Sequence, residues 1–176
     1  MRCQIRQATE KDSEKIAVLH ANSWKKAYRS LLSDSYLDND LEGERKKYWS
    51  DKMSKLSEKE FVLVAENESM AIGFAALLDK PEMGYDALID NLHVRADMKG
   101  QGIGKQLMKA VAERLIQTGR KSVYLFVLKG NDAAEEFYLS RGAKRADASA
   151  VEFGGKNVFH TRFVWPTLDD LLNESF

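Results

Sequence analysis

Three glycines stand in the stretch KGQGIGKQL, residues 99–107, between an apolar run and a helical pattern. Glycine costs a helix entrance conformational entropy, so its use there asks for a reason. A strand that ends in a glycine loop opening a helix directs several backbone N–H groups one way. The helix adds about half a positive charge at that end. Together they make a seat for an anion, and a tight structural turn is the competing explanation. Arg95, Lys99 and Lys105 against Asp97 make the loop basic. The glycines do not fit the dinucleotide fingerprint, because the sixth place counted from Gly100 is Lys105. They do not fit a phosphate loop of the Gly-Lys-Ser/Thr kind either, because Gln106 follows Lys105.

Two other places carry chemistry. Asn131 and Tyr138 are seven apart in NDAAEEFYLSRGA, residues 131–143, and so share a helical stripe about 10 Å long. Taken alone, Asn131 is an N-cap and Tyr138 a half-buried aromatic. Asp90 is an acid inside the apolar run ALIDNLHV, residues 87–94, which makes it a candidate for a raised pKa and for general base. A carboxylate satisfied by neighbouring groups is the alternative. His93 and Glu66 are further candidate bases, His93 reading better as a packed or surface histidine. In regular alternation Leu88, Asp90, Leu92 and Val94 share one face, and Ile89, Asn91 and His93 the other.

The elements that must hold these residues can be read in order. Residues 3–7 form a strand, and TEKD, residues 9–12, is a capping-box pattern. A helix follows with Ile16, Leu19, Ser23, Ala27 and Leu31 on one face. SDSYLDND, residues 33–40, reads as a break, and residues 41–53 as a second helix. Strands are expected at 61–66, 70–78 and 87–94, with 67–69 as a turn and Gly73 as a bulge or close approach. A helix runs from Ile103 to Thr118, with Gly119 as its cap. VYLFVL, residues 123–128, is apolar on both faces like a buried parallel strand. Asn131 opens a helix that Gly142 closes. Residues 144–153 and 157–164 form a hairpin across Gly154 and Gly155. SEKE (57–60) and GERKK (43–47) read as solvated charge runs.

At 176 residues the chain is one domain, 1–176, with 166–176 as a C-terminal extension. Lys plus Arg and Asp plus Glu are both 27, so zero net charge argues against a nucleic-acid or anionic-membrane surface. The single cysteine, Cys3, excludes an internal disulfide. The N-terminal residues have no signal-like apolar core, and no run nears the length of a membrane span, so a cytoplasmic protein is expected. His20, His93, His160 and Cys3 have no metal-ligand spacing, so no metal is expected.

LHVRADMKGQGIGKQLM, together with NDAAEEFYLSRGA and the opening IRQATEKD, resembles the GNAT superfamily of N-acetyltransferases over residues 5–164. Lys99 stands where that family's loop has Arg or Gln. The resemblance implies an α/β fold (α+β by some schemes), a central mixed sheet of six to seven strands flanked by helices. It implies acetyl-CoA as cosubstrate and direct attack by a primary amine in a ternary complex. Leu92, His93 and Val94 would pair with the pantetheine, one of their N–H groups polarising the acetyl carbonyl. Lys99, Gly100, Gln101, Gly102, Ile103, Gly104 and Lys105 would hold the diphosphate. Asn131 would contact the pantetheine, Tyr138 would protonate the leaving thiolate, and Asp90 would take the amine's proton. Trp24, Tyr28 and Tyr36 lie where the family places acceptor-binding helices, and core aromatics are the alternative. A small-molecule or peptide amine is the implied partner. The terminal hairpin and WPTLDDLLNESF suit a homodimer contact. A CoA-binding sensor without catalysis and a nucleotide-binding α/β module stay open as other classes.

Overall fold

The computed structural model describes residues 3–153 and 156–173. Its elements are β1 (Gln4–Gln7), α1 (Ser13–Ala27), α2 (Leu41–Ser54), β2 (Phe61–Asn67), β3 (Met70–Leu78), β4 (Leu88–Val94), α3 (Ile103–Gln117), β5 (Val123–Leu128), α4 (Asp132–Leu139), β6 (Lys144–Phe153), β7 (Lys156–Trp165) and α5 (Asp169–Leu172). The strands form one sheet in the order β1-β2-β3-β4-β5-β7-β6. Every pairing is antiparallel except β4 with β5, the pair joined by the α3 crossover.

Both faces of the central strands are buried, as their unbroken apolar runs require. Phe61, Leu63, Ala65, Ala75 and Leu77 pack against Ile103, Leu107, Met108, Val111 and Leu115 of α3. Val62, Val64, Phe74 and Ala76 pack against Ile16, Leu19, Trp49 and Met53 of α1 and α2. Gly73 is a close approach: a Cβ there would lie 3.0 Å from the His93 carbonyl oxygen and 3.2 Å from Ile103 and Leu107 of α3.

The structure departs from the sequence reading in four places. The break between α1 and α2 falls at residues 28–33 rather than at 33–40. Backbone turns run on from residue 34, and Tyr36–Asp40 form a π turn that feeds into α2. Ser33 Oγ opens this segment by accepting the Tyr36 N–H at 3.3 Å. α1 ends at Ala27, so Leu31 lies in the following turn. β4 is not in regular alternation: Asn91 pairs with Ala76 and Ile89 with Leu77, so Asp90 is a bulge residue without a partner on β3. Ile89, Leu92 and Val94 therefore share the α3 face, while Asp90 and His93 meet α2 and α1. Finally, GERKK is not uniformly solvated, because the Arg45 side chain is only 13% exposed. The expected turn at Gly154 and Gly155 lies outside the described residues.

Candidate active site

β4 and β5 pair at a single register position, Leu88 with Tyr124, and then part. Beyond that point β5 is paired on its other side by β7 from Val123 to Leu128. The edge of β4 that faces β5, through Leu92, His93 and Val94, is left without a neighbouring strand. An extended ligand with amides can use such an edge as a further strand. The bulge at Asp90 sits where the two strands begin to part, and bulges add local twist.

The glycine loop closes one end of this gap. After the short helical turn Ala96–Met98, residues 99–102 lead into α3. Gly100 and Gly102 have φ of 80° and 78°, a left-handed conformation that side-chain-bearing residues rarely adopt. Open space surrounds the Cβ position of Gly100, and at Gly102 the nearest atom is Gln106 Nε2 at 4.0 Å. Gln106 donates the first helical bond, to the Gly102 carbonyl at 3.0 Å, so the turn before it presents its N–H groups outward. No acid stands in this first turn. The loop thus has the shape and polarity to receive a diphosphate. Gly104 has a different reason to lack a side chain. A Cβ there would lie 3.1 Å from the Phe137 ring and 3.7 Å from Val94 Cγ2, so it lets α3 pack against α4.

The far wall of the gap comes from α4. Asn131 caps the helix, its Oδ1 accepting the Ala134 N–H at 3.4 Å. Its side chain also approaches the Tyr28 hydroxyl, just past the end of α1, and so offsets part of the rise that burial gives that phenol's pKa. The Tyr138 ring is 8% exposed and lies edge-on to Trp165, with centroids 5.9 Å apart. Burial, and then proximity to Tyr28, push the Tyr138 pKa well above the usual phenol range, so this phenol keeps its proton. Tyr28 thereby joins Asn131 and Tyr138, a pair that lies far from it in the sequence.

The opposite side of β4 belongs to α1 and α2. Trp24 and Tyr28 pack on Phe153 at the end of β6, with centroids 4.7 and 5.2 Å away. Arg45 stacks over Trp24 at 4.9 Å and over Tyr48 at 4.8 Å, and pairs with Glu44. Tyr36 stands one contact further out, its hydroxyl donating to Glu44 at 2.8 Å. Asp90 is not in an apolar wall. Its Oδ2 accepts from Lys52 Nζ at 3.1 Å, from Asn91 Nδ2 at 2.6 Å and from Tyr48 at 3.3 Å. Glu66 lies two strands away, held by Arg6 at 2.5 and 2.9 Å, which lowers its pKa.

His93 turns from β4 toward α1. Its Nδ1 is 2.8 Å from Ser23 Oγ, and its ring lies 4.6 Å from that of His20. The Trp49 indole N–H donates to His20 Nδ1 at 2.9 Å. Indole only donates, so that nitrogen carries no proton and the tautomer is set with hydrogen on Nε2. Burial is the main cause that pushes His93 down to about 3 and His20 to about 2. Both imidazoles are neutral, and neither suits the task of accepting a proton from an amine near neutral pH. His20, Ser23, Arg45, Tyr48, Lys52 and Phe153 were not legible as neighbours of the site. The one signal was the spacing of Arg45, Tyr48, Trp49 and Lys52 along one helical face.

The Acetyltransferase (GNAT) family model matches residues 24–143, which span both the glycine loop and α4. The chain belongs to the GNAT acetyltransferase family. As an acetyltransferase it is similar to an uncharacterized N-acetyltransferase, YuaI, of Bacillus subtilis, at 27% identity over 95% of each chain. It is also similar to a spermidine N(1)-acetyltransferase of Thermoplasma acidophilum, at 24% identity over 87% of this chain and 95% of that one. Among solved structures it shares its fold with the PaiA N-acetyltransferase of Thermoplasma acidophilum in complex with coenzyme A. That likeness has a TM-score of 0.73 and 23% identity, and covers 92% of this chain and 98% of that one.

Proposed function

We propose that this acetyltransferase binds acetyl-CoA in the gap between β4 and β5 and passes the acetyl group directly to a primary amine. The observation that carries the reading is the single-residue pairing of β4 with β5, which leaves the 92–94 edge open between the glycine loop and Tyr138. In this reading the loop of residues 99–105 holds the diphosphate, the 92–94 backbone pairs with the pantetheine amides, and Asn131 contacts the same arm. The thioester supplies an activated acetyl group, and a backbone N–H of the β4 edge polarises its carbonyl. Asp90 takes the proton from the incoming ammonium. Tyr138, buried and protonated, returns a proton to the leaving thiolate.

The acceptor enters from the side of α1 and α2, where Trp24, Tyr28, Tyr48 and Phe153 supply aromatic walls. Similar proteins include a spermidine and a thialysine acetyltransferase, and Asp90 offers an ammonium a carboxylate. A cationic primary amine is therefore the acceptor class we infer. The test is acetyl-CoA turnover, followed as free thiol, across spermidine, diamines, lysine analogues and peptides with free N-termini. Turnover with at least one of these amines is expected. Binding of CoA without thiol release on any amine would overturn the catalytic reading. Preferential thermal stabilisation by ATP or NAD over acetyl-CoA would overturn the ligand.

A further inference from the structure

Lys52 is an internal amine already seated at the proposed base. Its Nζ lies 3.1 Å from Asp90 Oδ2 and donates to the Tyr48 hydroxyl at 3.0 Å. The ammonium also stands over the Tyr48 ring at 5.4 Å and the Trp49 ring at 5.7 Å. Its side chain is 12% exposed, whereas those of the ion-paired Lys46, Lys55, Lys59 and Lys80 are 41%, 70%, 74% and 60% exposed. Burying a flexible cationic side chain costs solvation and rotamer freedom, and this α2 lysine does so to meet the β4 bulge. Asp90 precedes Leu92 by two residues, about 7 Å along a strand. A lysine side chain is of comparable length, so its reach matches the distance from the carboxylate to the open edge.

We propose that Lys52 is acetylated by the protein's own active site, an inference that rests on the transfer reading above. The Lys52 ammonium gives a proton to Asp90, and the Nζ lone pair then attacks the acetyl carbonyl carbon. The N–C bond forms, the C–S bond breaks, and the sulfur leaves with the electron pair. Of the two protons Nζ loses in all, one ends on the sulfur by way of Tyr138 and the other passes from Asp90 to water. The product is an uncharged amide that no longer pairs with Asp90. That carboxylate is then released to hold a cationic acceptor, so Lys52 acts as a plug that the first turnover removes.

The experiment incubates the purified full-length protein with acetyl-CoA and no acceptor, then maps acetyl groups by peptide mass spectrometry. Lys52 is expected to label before the more exposed Lys46 and Lys55, at a first-order rate independent of protein concentration. Asp90→Asn and Tyr138→Phe should each slow labelling of Lys52 by tenfold or more, on the order of a lost acid or base. Lys52→Arg keeps a cation for Asp90 and removes the reactive amine, so its peptide should stay unlabelled with no transfer to Lys55. Labelling that follows exposure alone, or that is unchanged in Tyr138→Phe, is ordinary chemical acetylation and overturns the inference. Turnover of a small amine in the same sample separates the two claims. Turnover with Lys52 unlabelled overturns the self-acetylation alone, while neither turnover nor labelling overturns both.

Discussion

At the scale of single residues, the side chains that matter are defined by what surrounds them. Tyr138 was legible as an aromatic on a stripe with Asn131, but its burial against Trp165 and its nearness to Tyr28 come from α1 and β7. A phenol held protonated in that setting is suited to donate. Tyr138→Phe keeps the ring and its packing, and is expected to lower turnover by roughly a hundred- to ten-thousand-fold. CoA affinity should change only a few-fold, because the loop and the β4 edge are untouched. A thioester with a less basic leaving thiolate should recover part of the loss. Turnover within about threefold of the parent, well below the general-acid range, would leave water as the proton source. Asp90 shows the limit of reading an acid from its neighbours in sequence. ALIDNL suggested an apolar setting, yet the bulge turns the carboxylate to a lysine, a tyrosine and an asparagine amide.

At the scale of elements, two glycines in one loop serve different ends, and substitution separates them. Gly102→Val places a branched side chain at φ 78° where an L-residue is strained by roughly 1–2 kcal/mol. It also fills the space in front of the α3 N-terminus. The expected result is at least a tenfold loss of CoA affinity by calorimetry, with a folded protein and a modest fall in Tm. Gly104→Val instead drives a side chain into the Phe137 ring, whose nearest atom is 3.1 Å from the Cβ position. Overpacking of this kind costs about 1–3 kcal/mol, so the ligand-free protein should melt several degrees earlier. If Gly104→Val melts like the parent while CoA affinity collapses, the loop rather than the α3–α4 contact explains that residue. The π turn Tyr36–Asp40 is another outcome at this scale. Its turn-forming residues suggested a break, and Leu37 and Leu41, both fully buried, hold the segment helical instead.

At the scale of the whole molecule, the two layers of helices bury ionisable groups in ways that make stability depend on pH. His20 and His93 titrate far below the usual imidazole value of 6.5, at about 2 and about 3, with burial the main cause. The unfolded chain therefore binds protons that the folded chain refuses. Their contribution is fully present above pH 6.5 and is lost as pH falls below it. His160, stacked 4.1 Å from Phe126, is shifted the same way. The paired acids Asp12 and Glu66 begin to matter only near their unfolded values of 3.8 and 4.5, so the interval from pH 6.5 to 5 isolates the histidines. Urea unfolding at pH 7.5 and 5.5 should differ by about 1.4 kcal/mol for each of His20 and His93. Equal stability at the two pH values would mean that the pair admits protons without unfolding. The glycine loop, the α4 stripe and the order of strands and helices were readable from the chain, because turn chemistry and periodicity are local and each residue carries its own signal. The parting of β4 from β5, the bulge that turns Asp90 to Lys52, the contact of buried His20 with half-buried His93 and the meeting of Tyr28 with Tyr138 were decided only by tertiary structure. Each depends on residues that the sheet brings together from distant segments, and no local preference records which partner arrives.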